Sequence, residues 1–309
     1  MCSREHGSLP DITHYVAGFP CKPFSLLRGH RTTLLKDPQA KPFYAVIKTL
    51  KAKSPRVAVL ENVSGILRVL KPIMSNIARM RTYHCLKLRM NPPQLGSPVQ
   101  RPRVYFLLVR KDAARSGNLR TLQQWAEALW QACQAPSSGL PSLAGICLPA
   151  NHTQVQQAQA HRRAGKKSKA KAKAKVKTPP KWPARHEAHR VQAKETGRKP
   201  IATAAGRPLP SAADLLLKDA RDIDHWNINV AFGASSAMGQ RADDFAVDLS
   251  QNIGRDGARA DGTLPTVTPS GNIAVASLGR RLVPVEKLLV RTLLLFSRSH
   301  VTLLKWKLI

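Results

Sequence analysis

The sequence predicts an α/β protein, and three observations carry that prediction. Apolar runs of the kind that form buried strands occupy residues 57–60 and 104–109. An amphipathic helix is expected over 119–134, because its apolar residues recur at helical spacing along one face. Hydrophobic residues make up 43% of the chain, which is enough to build a sizeable core. The apolar face of the helix consists of Leu122, Trp125, Ala126, Leu129, Trp130 and Cys133.

The charge balance points to a polyanionic partner. The 309 residues carry 50 Lys and Arg against 18 Asp and Glu, a formal charge of +32. A chain of this length holds one or two domains. Nucleic acid fits such a charge best, and an acidic membrane surface fits it less well. No apolar run is long enough to span a membrane, and residues 1–10 show no secretory signal, so no membrane partner is expected.

The cysteines argue against a disulfide framework. There are five, an odd number, and they are widely spaced without a C-x-x-C pair. A structural zinc site is therefore not expected, and no metal is predicted. A reducing compartment fits this pattern best.

Positive charge is concentrated in one low-complexity segment. Residues 161–181 contain ten Lys and Arg and no acidic residue. Because like charges repel and such a segment buries no apolar area, we predict a disordered insert, taken with its flank as 161–200. Two interpretations stay open, which are contact with nucleic-acid phosphates and a solubilising linker. The candidate DNA contacts are Lys166, Lys167 and Lys169.

Cys21 is the first candidate for chemistry. It follows a predicted strand over 12–19 and lies between Pro20 and Pro23, so its backbone is stiff and non-helical. A stiff loop can hold a nucleophile still. An isolated cysteine is, however, more often a small buried hydrophobe.

Glu61 and two arginines are the other candidates. Glu61 directly follows the run 57–60, where open α/β sheets place their ligands, although a surface or capping glutamate is the commoner case. Arg101 and Arg103 precede the run 104–109 and would point to the same side of an extended chain. Two guanidiniums so placed suit a phosphate or a base carbonyl, and solvated arginines at a strand edge are the alternative.

Together these segments resemble the C5-cytosine DNA methyltransferase family. Gly18 to Ser25 match its nucleophile motif G-F-P-C-Q-P-F-S except for Lys22 in place of Gln. Residues 61–63 match its E-N-V motif, and the two arginines match its Q-x-R-x-R motif, with Val99 at the expected Gln. The three motifs occur in the family's order, at intervals of forty residues that suit the family.

The resemblance is strong over residues 11–110 and weaker elsewhere. Residues 262–270 and 279–286 resemble the segments that close the family's target-recognition region, whereas 291–309 look foreign to the family. The family's Gly-rich F-x-G-x-G loop, which holds S-adenosylmethionine, has no counterpart, since no two of the 18 glycines stand two residues apart. We therefore expect an incomplete doubly wound, Rossmann-like methyltransferase sheet that lacks its first strands.

The resemblance also implies a mechanism on DNA with S-adenosylmethionine as methyl donor. The target cytosine would be flipped out of the duplex, because its C6 atom cannot be reached inside the stack. Cys21 would attack C6, Glu61 would bind the N3/N4 edge, Arg103 would bind the base carbonyl, and Arg101 would hold the loop and nearby backbone. The resemblance further implies DNA contacts at Lys22 and Ser25 and cofactor contacts at Pro20 and Asn62.

The expected organisation follows from the motifs. Residues 1–112 would form the catalytic core, 113–265 a small irregular target-recognition region containing the basic insert, 266–290 a return to the core, and 291–309 a divergent tail. Three functions remain open: a DNA cytosine-5 methyltransferase, a catalytically silent DNA-binding fragment of one, and an RNA cytosine methylase. Phe19 argues mildly against the last, since related tRNA enzymes carry P-P-C. The expected location is the nucleus in a eukaryote and the cytoplasm otherwise, and the oligomeric state is left open.

Overall fold

The structure of the chain is a computed structural model. It divides into two compact units, which are residues 10–94 with 102–134, and residues 95–101 with 140–296. The residues that the structure describes are 10–25, 34–114, 118–134, 140–164, 181–198, 200–201, 209–233, 245–255 and 257–296, with side chains described as far as Val290.

An open four-stranded sheet forms the centre of the first unit. The first strand, residues 14–18, runs parallel to the second, residues 57–63, and the other neighbouring strands are antiparallel. Helices separate the first three strands along the chain, so the α/β prediction is confirmed. The strands are β1 (His14–Gly18), β2 (Val57–Val63), β3 (Tyr83–Met90) and β4 (Arg103–Arg110), in the order β1-β2-β4-β3.

β2 extends further than the apolar run that predicts it. It continues to Val63 because β4 pairs with it along its whole length, as far as Arg103. Glu61 therefore lies within the strand instead of just after it. The register partner of Glu61 on β1 is Gly18, the last residue of that strand.

Two helices, α1 (Lys41–Lys53) and α2 (Leu70–Ala78), share a core with this sheet. Pro42 lies in the first turn of α1, where its missing N–H is not needed. The helix ends at Ser54, which adopts a left-handed φ of 41° and donates its backbone N–H to the carbonyl of Leu50. Leu50 is fully buried, so Leu50→Ala would cost about 2–5 kcal/mol of stability. The core also contains Phe19, Phe24, Phe43, Leu60, Ile73 and Phe106.

The third helix confirms the prediction from the amphipathic pattern. α3 spans Leu119–Cys133, and Asn118 caps it by accepting the backbone N–H of Thr121 at 2.8 Å. Ala126 is its only buried residue, and Trp125 is 37% exposed. The apolar face that the pattern identified is therefore only partly covered.

The second unit combines helices with a small antiparallel sheet. In spatial order its strands are residues 258–259, 246–248, 273–275 and 280–281. Trp226 and Phe245 lie in its core with ring centroids 5.5 Å apart. The elements are α4 (Leu143–Ile146), α5 (Thr153–Ala164), α6 (Trp182–Glu195), α7 (Ala220–Phe232), β5 (Ala246–Asp248), β6 (Ala258–Arg259), β7 (Ile273–Val275), β8 (Arg280–Arg281) and α8 (Pro284–Phe296).

Part of the predicted basic insert differs from the expectation of disorder. Residues 161–164 complete α5, and α6 occupies most of 181–198. The apolar pattern misses α6 because only His186 and Ala193 are buried in it. Residues 165–180, and with them Lys166, Lys167 and Lys169, lie outside the described residues.

Candidate active site

Cys21 lies on a short, anchored loop after β1. Phe19 and Phe24, on either side of it, are buried, and their ring centroids lie 5.9 Å apart in an edge-to-face arrangement. The carbonyl oxygen of Cys21 accepts the backbone N–H groups of Phe24 and Ser25, both at 2.9 Å. Cys21 itself is exposed. The loop thus presents a thiol to solvent on a backbone fixed from both sides.

The residues around Cys21 differ in their exposure. Pro23 is buried and Ser25 is half-buried, whereas Pro20 and Lys22 are exposed like Cys21. Two fixed proline φ angles and a buried Pro23 ring reduce the freedom of the loop. Lys22 places a solvent-exposed positive charge beside the thiol.

Glu61 approaches the backbone of β1 closely at Gly18. A Cβ atom placed on Gly18 would lie 3.3 Å from Oε2 of Glu61, which is tighter than most contacts of real Cβ atoms. A side chain at position 18 would therefore push the carboxylate away. The glycine of the G-F-P-C motif gives Glu61 room beside the start of the Cys21 loop.

Glu61 and Arg103 form an ion pair across β2 and β4. The Nε of Arg103 donates to Oε1 of Glu61 at 2.7 Å, and the two side chains are 15% and 31% exposed. Arg103 also donates from Nη1 to the carbonyl of Pro102 at 2.9 Å. Hydrogen bonds between ionised groups in partly dry surroundings are stronger than neutral ones. The pair holds one carboxylate oxygen and leaves Oε2 on the side of Gly18.

Asn62 ties β2 to the Cys21 loop. It is 1% exposed, its Nδ2 donates to the carbonyl of Phe19 at 2.9 Å, and its Oδ1 accepts the N–H of Val63 at 2.9 Å. The amide therefore serves an internal link between the second motif and the first. This accounts for a buried asparagine as the penultimate residue of β2.

Arg68 is a further anchor of the loop, and the sequence reasoning missed it. Its Nη2 donates to the carbonyl of Phe24 at 3.2 Å, and its Nε donates to the carbonyl of Gly65 at 3.4 Å. Arg68 follows β2 in a 3₁₀ turn, Ser64–Val69, five residues after the E-N-V motif. No sequence pattern identified above singles it out.

Arg101 lies in the second unit, at the point where the chain passes to the first, and it is exposed. The residue before it is held in place by segment 263–266. The N–H of Gln100 donates to the carbonyl of Leu264 at 2.9 Å, and its Nε2 donates to Oγ1 of Thr263 at 3.3 Å. Thr266 donates from Oγ1 to the carbonyl of Gln100 at 2.7 Å. The residue before Arg101 is thus fixed by residues from the weaker C-terminal resemblance.

Thr263 belongs to a charged cluster with Arg259 and Asp261. Asp261 is paired with Arg259 and accepts the Thr263 hydroxyl at 2.5 Å. Burial raises the pKa of Asp261, but the hydrogen bonds from Thr263 and Arg259 outweigh it and hold the pKa below its usual value. Asp261 therefore stays ionised and keeps Thr263 oriented toward Gln100.

The second C-terminal segment, 279–286, contains a buried ion pair between Arg280 and Glu286. Glu286 is fully buried, and both its oxygens accept from the Arg280 guanidinium, at 2.7 and 2.8 Å. Glu286 also accepts the backbone N–H groups of Leu148 and Val283, both at 2.9 Å. A buried carboxylate with this many donors is satisfied. The segment therefore organises the second unit and does not present this pair to a ligand.

The described residues do not complete a site for S-adenosylmethionine. Asn62 is buried and uses both of its amide atoms within the protein. Pro20 is exposed but has no N–H to donate. The whole sequence contains no G-x-G loop of the kind that lets backbone N–H groups approach such a ligand. These residues do not by themselves fit the donor.

Neither a metal-binding cluster nor a membrane-spanning helix occurs among the described residues. No cluster of three or more His, Cys, Asp and Glu among them is arranged to hold a metal ion. No helix in the described part of the chain is long and apolar enough to cross a membrane.

The site thus combines an exposed cysteine on a fixed loop with a Glu–Arg pair on the adjoining strands. The model of the C-5 cytosine-specific DNA methylase family matches residues 3–210, which is more than half of the chain. The chain belongs to this family, whose members are methyltransferases.

Similar proteins agree with this assignment. The type II methyltransferase M.NgoBV of Neisseria gonorrhoeae is 33% identical over 114 residues, which are 33% of this chain and 26% of the relative. M.BanI of Aneurinibacillus aneurinilyticus is 32% identical over 109 residues, 34% of this chain and 25% of the relative. The match thus spans about a quarter of the length of these relatives.

Solved structures show a more distant likeness. The Entamoeba histolytica methyltransferase EhMeth is 20% identical, with a TM-score of 0.28 over 31% of this chain and 32% of that one. The Schizosaccharomyces pombe (S. pombe) Dnmt2 methyltransferase is 22% identical, with a TM-score of 0.26 over 35% of both chains.

Proposed function

We propose that the chain carries the base-activating half of a DNA cytosine-5 methyltransferase. The observation that supports it is the exposed Cys21 on a loop fixed by Asn62, in the same unit as the Glu61–Arg103 pair. A nucleophile held still beside groups that stabilise developing charge is the arrangement that covalent catalysis needs. DNA is the proposed partner, since the formal charge of the chain is +32.

The proposed reaction begins when a cytosine leaves the base stack. The Cys21 thiolate forms a bond to C6, and the π electrons of the C5–C6 bond move into the ring toward N3. Glu61 binds the N3/N4 edge and Arg103 binds the O2 carbonyl, so the negative charge is stabilised where it develops. C5 becomes nucleophilic. If it takes up a proton from solvent and loses the original one, expulsion of the thiolate restores the cytosine.

The methyl donor proposed for the whole reaction is S-adenosylmethionine. The residues proposed to position the base do not depend on it. Activation of the base can therefore be tested without the donor, and methyl transfer can be tested separately.

Hydrogen exchange at C5 is the sharpest test. DNA carrying tritium at C5 of cytosine is incubated with the 309-residue chain without a methyl donor, and tritium release to water is followed. We expect release by the wild-type protein and none by Cys21→Ser. Release that survives this substitution, or no release from any DNA sequence offered, would overturn the proposal.

A silent DNA-binding role is the second candidate. The observation that favours it is the absence of a G-x-G loop from the sequence. Calorimetric titration with S-adenosylmethionine separates the two candidates, because micromolar binding by this chain argues against a silent role. Transfer of a labelled methyl group to DNA by the same preparation would exclude it.

A further inference from the structure

One face of α1 carries a row of positive charge with an aromatic side chain in the middle. Lys41, Tyr44, Lys48 and Lys51 recur at helical spacing, and all four are exposed. Tyr44 is 41% exposed. The opposite face, with Phe43 and others, is buried in the core. At about 1.5 Å per residue, the row is about 15 Å long.

The lysines of this row are not neutralised by the described residues. α1 contains no acidic residue, and the ion pair that Asp11 makes with this helix goes to Lys53. None of the ion pairs of the described residues involves Lys41, Lys48 or Lys51. Three ammonium groups therefore face solvent together.

Helix stability does not account for the row. A cation in the last turn, such as Lys51, interacts favourably with the helix dipole. Lys41 lies at the opposite end, in a first turn without an acidic residue, where a cation is unfavourable. Its presence costs helix stability and points to a ligand outside the helix.

The row begins beside the Cys21 loop. α1 connects the parallel strands β1 and β2, so its first turn lies at the edge of the sheet where β1 ends. The ring centroid of Phe43 lies 5.4 Å from that of Phe19, two residues before Cys21, and 5.3 Å from that of Tyr44. Phe43, in the first turn of α1, therefore packs against the residue that leads into the loop, and the row leads away from there along the helix.

We propose that this row binds the phosphate backbone of DNA that flanks the target base. Phosphates repeat along a duplex strand every 3.4 Å of axis, so a row of this length can follow several of them. Lys22 would continue the row at the loop. Tyr44 supplies a flat surface for a sugar or an unpaired base. The inference rests on DNA as the partner of the proposed function but not on the chemistry at Cys21.

Salt dependence of DNA affinity tests the row directly. The logarithm of the binding constant falls against the logarithm of salt concentration with a slope of about 0.9 for each phosphate neutralised. We expect the triple variant Lys41→Gln, Lys48→Gln and Lys51→Gln to have a slope that is smaller by about 2.7. The measurement is fluorescence anisotropy of a short labelled duplex with the full chain, between about 50 and 200 mM salt.

Two controls keep the result specific. The first control removes the same charge from exposed positions elsewhere in the unit, with Lys36→Gln, Lys71→Gln and Lys111→Gln combined. We expect the slope of this variant to change by less than about 0.9, the value for one phosphate contact. The second control keeps the charge, with Lys41→Arg, Lys48→Arg and Lys51→Arg combined, and it should have the wild-type slope. A wild-type slope here shows that substitution at these positions does not by itself disrupt the fold. Equal slope changes in the two Gln triples would overturn the inference. Failure of hydrogen exchange at C5 would leave this slope unaffected, so the two proposals fail separately.

Discussion

The side chain of Asn62 donates to the carbonyl of Phe19 at 2.9 Å, two residues before Cys21. The second motif therefore holds the first in place through one buried hydrogen bond. The resemblance implies a contact between Asn62 and the methyl donor, whereas in the structure the Asn62 amide fixes the backbone of the Cys21 loop. Whether it also contacts the donor stays a prediction.

Removing this link should loosen the loop. Asn62→Ala leaves the Phe19 carbonyl and the Val63 N–H without their partner, and we expect a loss of about 1–3 kcal/mol in urea unfolding. Tritium release should fall with it. The matched control is Asn76→Ala, which removes an exposed Asn hydrogen bond to Pro72 on α2 and should cost less than about 0.5 kcal/mol. Equal losses for both variants would contradict a special role for Asn62.

A single methyl group at position 18 should displace Glu61. Gly18 has no positive φ, so Gly18→Ala adds a Cβ without backbone strain. That Cβ would meet Oε2 of Glu61 at 3.3 Å. Because small misplacements of reacting groups are costly, we expect tritium release to fall by about tenfold while the unfolding curve changes little. Val16→Ala, two residues earlier on β1 and 76% exposed in the wild type, should leave release unchanged.

The Glu61–Arg103 pair should matter for rate more than for stability. Glu61→Gln keeps the size of the side chain but loses the carboxylate, and we expect tritium release to fall by about 10²–10⁴. Arg103→Lys keeps the positive charge but loses the planar guanidinium. Its rate of tritium release should lie between those of the wild type and Glu61→Gln. Asp112→Asn breaks the pair of Asp112 with Arg110, which is also 2.7 Å long but more exposed, and it should have no effect on release.

Stability should depend on pH through His225. Burial, followed by the charges of His186 and Arg221, lowers its pKa from 6.5 to about 4, while Asp248 opposes this and His189 adds to it. His225 binds a proton less readily in the folded protein than in the unfolded chain. Its contribution to the free energy of unfolding is therefore fully present above pH 6.5 and is lost as the pH falls toward 4. The loss approaches about 3 kcal/mol. Urea unfolding at several pH values measures it, and His225→Leu should remove most of this slope.

The cysteines should differ sharply in reactivity. Cys21 is exposed, whereas burial raises the pKa of Cys85 to about 12. Because the thiolate is the reactive form, a limited dose of iodoacetamide at pH 8 should label Cys21 before Cys85. Peptide mass spectrometry gives the order, and preferential labelling of Cys85 would show that the loop is closed in solution.

Much of the strand structure of the first unit could be predicted from the sequence, because its apolar runs are short and local. Residue types and motif spacing single out Cys21, Glu61 and Arg103 as candidate site residues. Apolar runs predict the strands beside them. The 2.7 Å contact between Glu61 and Arg103 was not predictable, since it depends on the register of β4 against β2. Arg68 was missed because an arginine bonded to two carbonyls leaves no pattern in the sequence.

The second unit was less predictable for a physical reason. Its strands are two or three residues long, so they have too few alternations to show a period. The link between Gln100 and Thr263 joins residues 163 positions apart. α6 escaped notice because two buried residues do not make an apolar face. Contacts of this kind arise only when the chain folds.

The outer edge of β1 has a consequence for association between chains. β1 pairs with β2 on one side only among the described strands, and Val16 on it is 76% exposed. Such an edge can template a strand from another molecule. β1, however, ends after five residues at Gly18, and Pro20 lies two residues further on. A proline cannot donate to a growing ladder, so the rigid loop that presents the thiol also limits how far a foreign strand could extend the sheet.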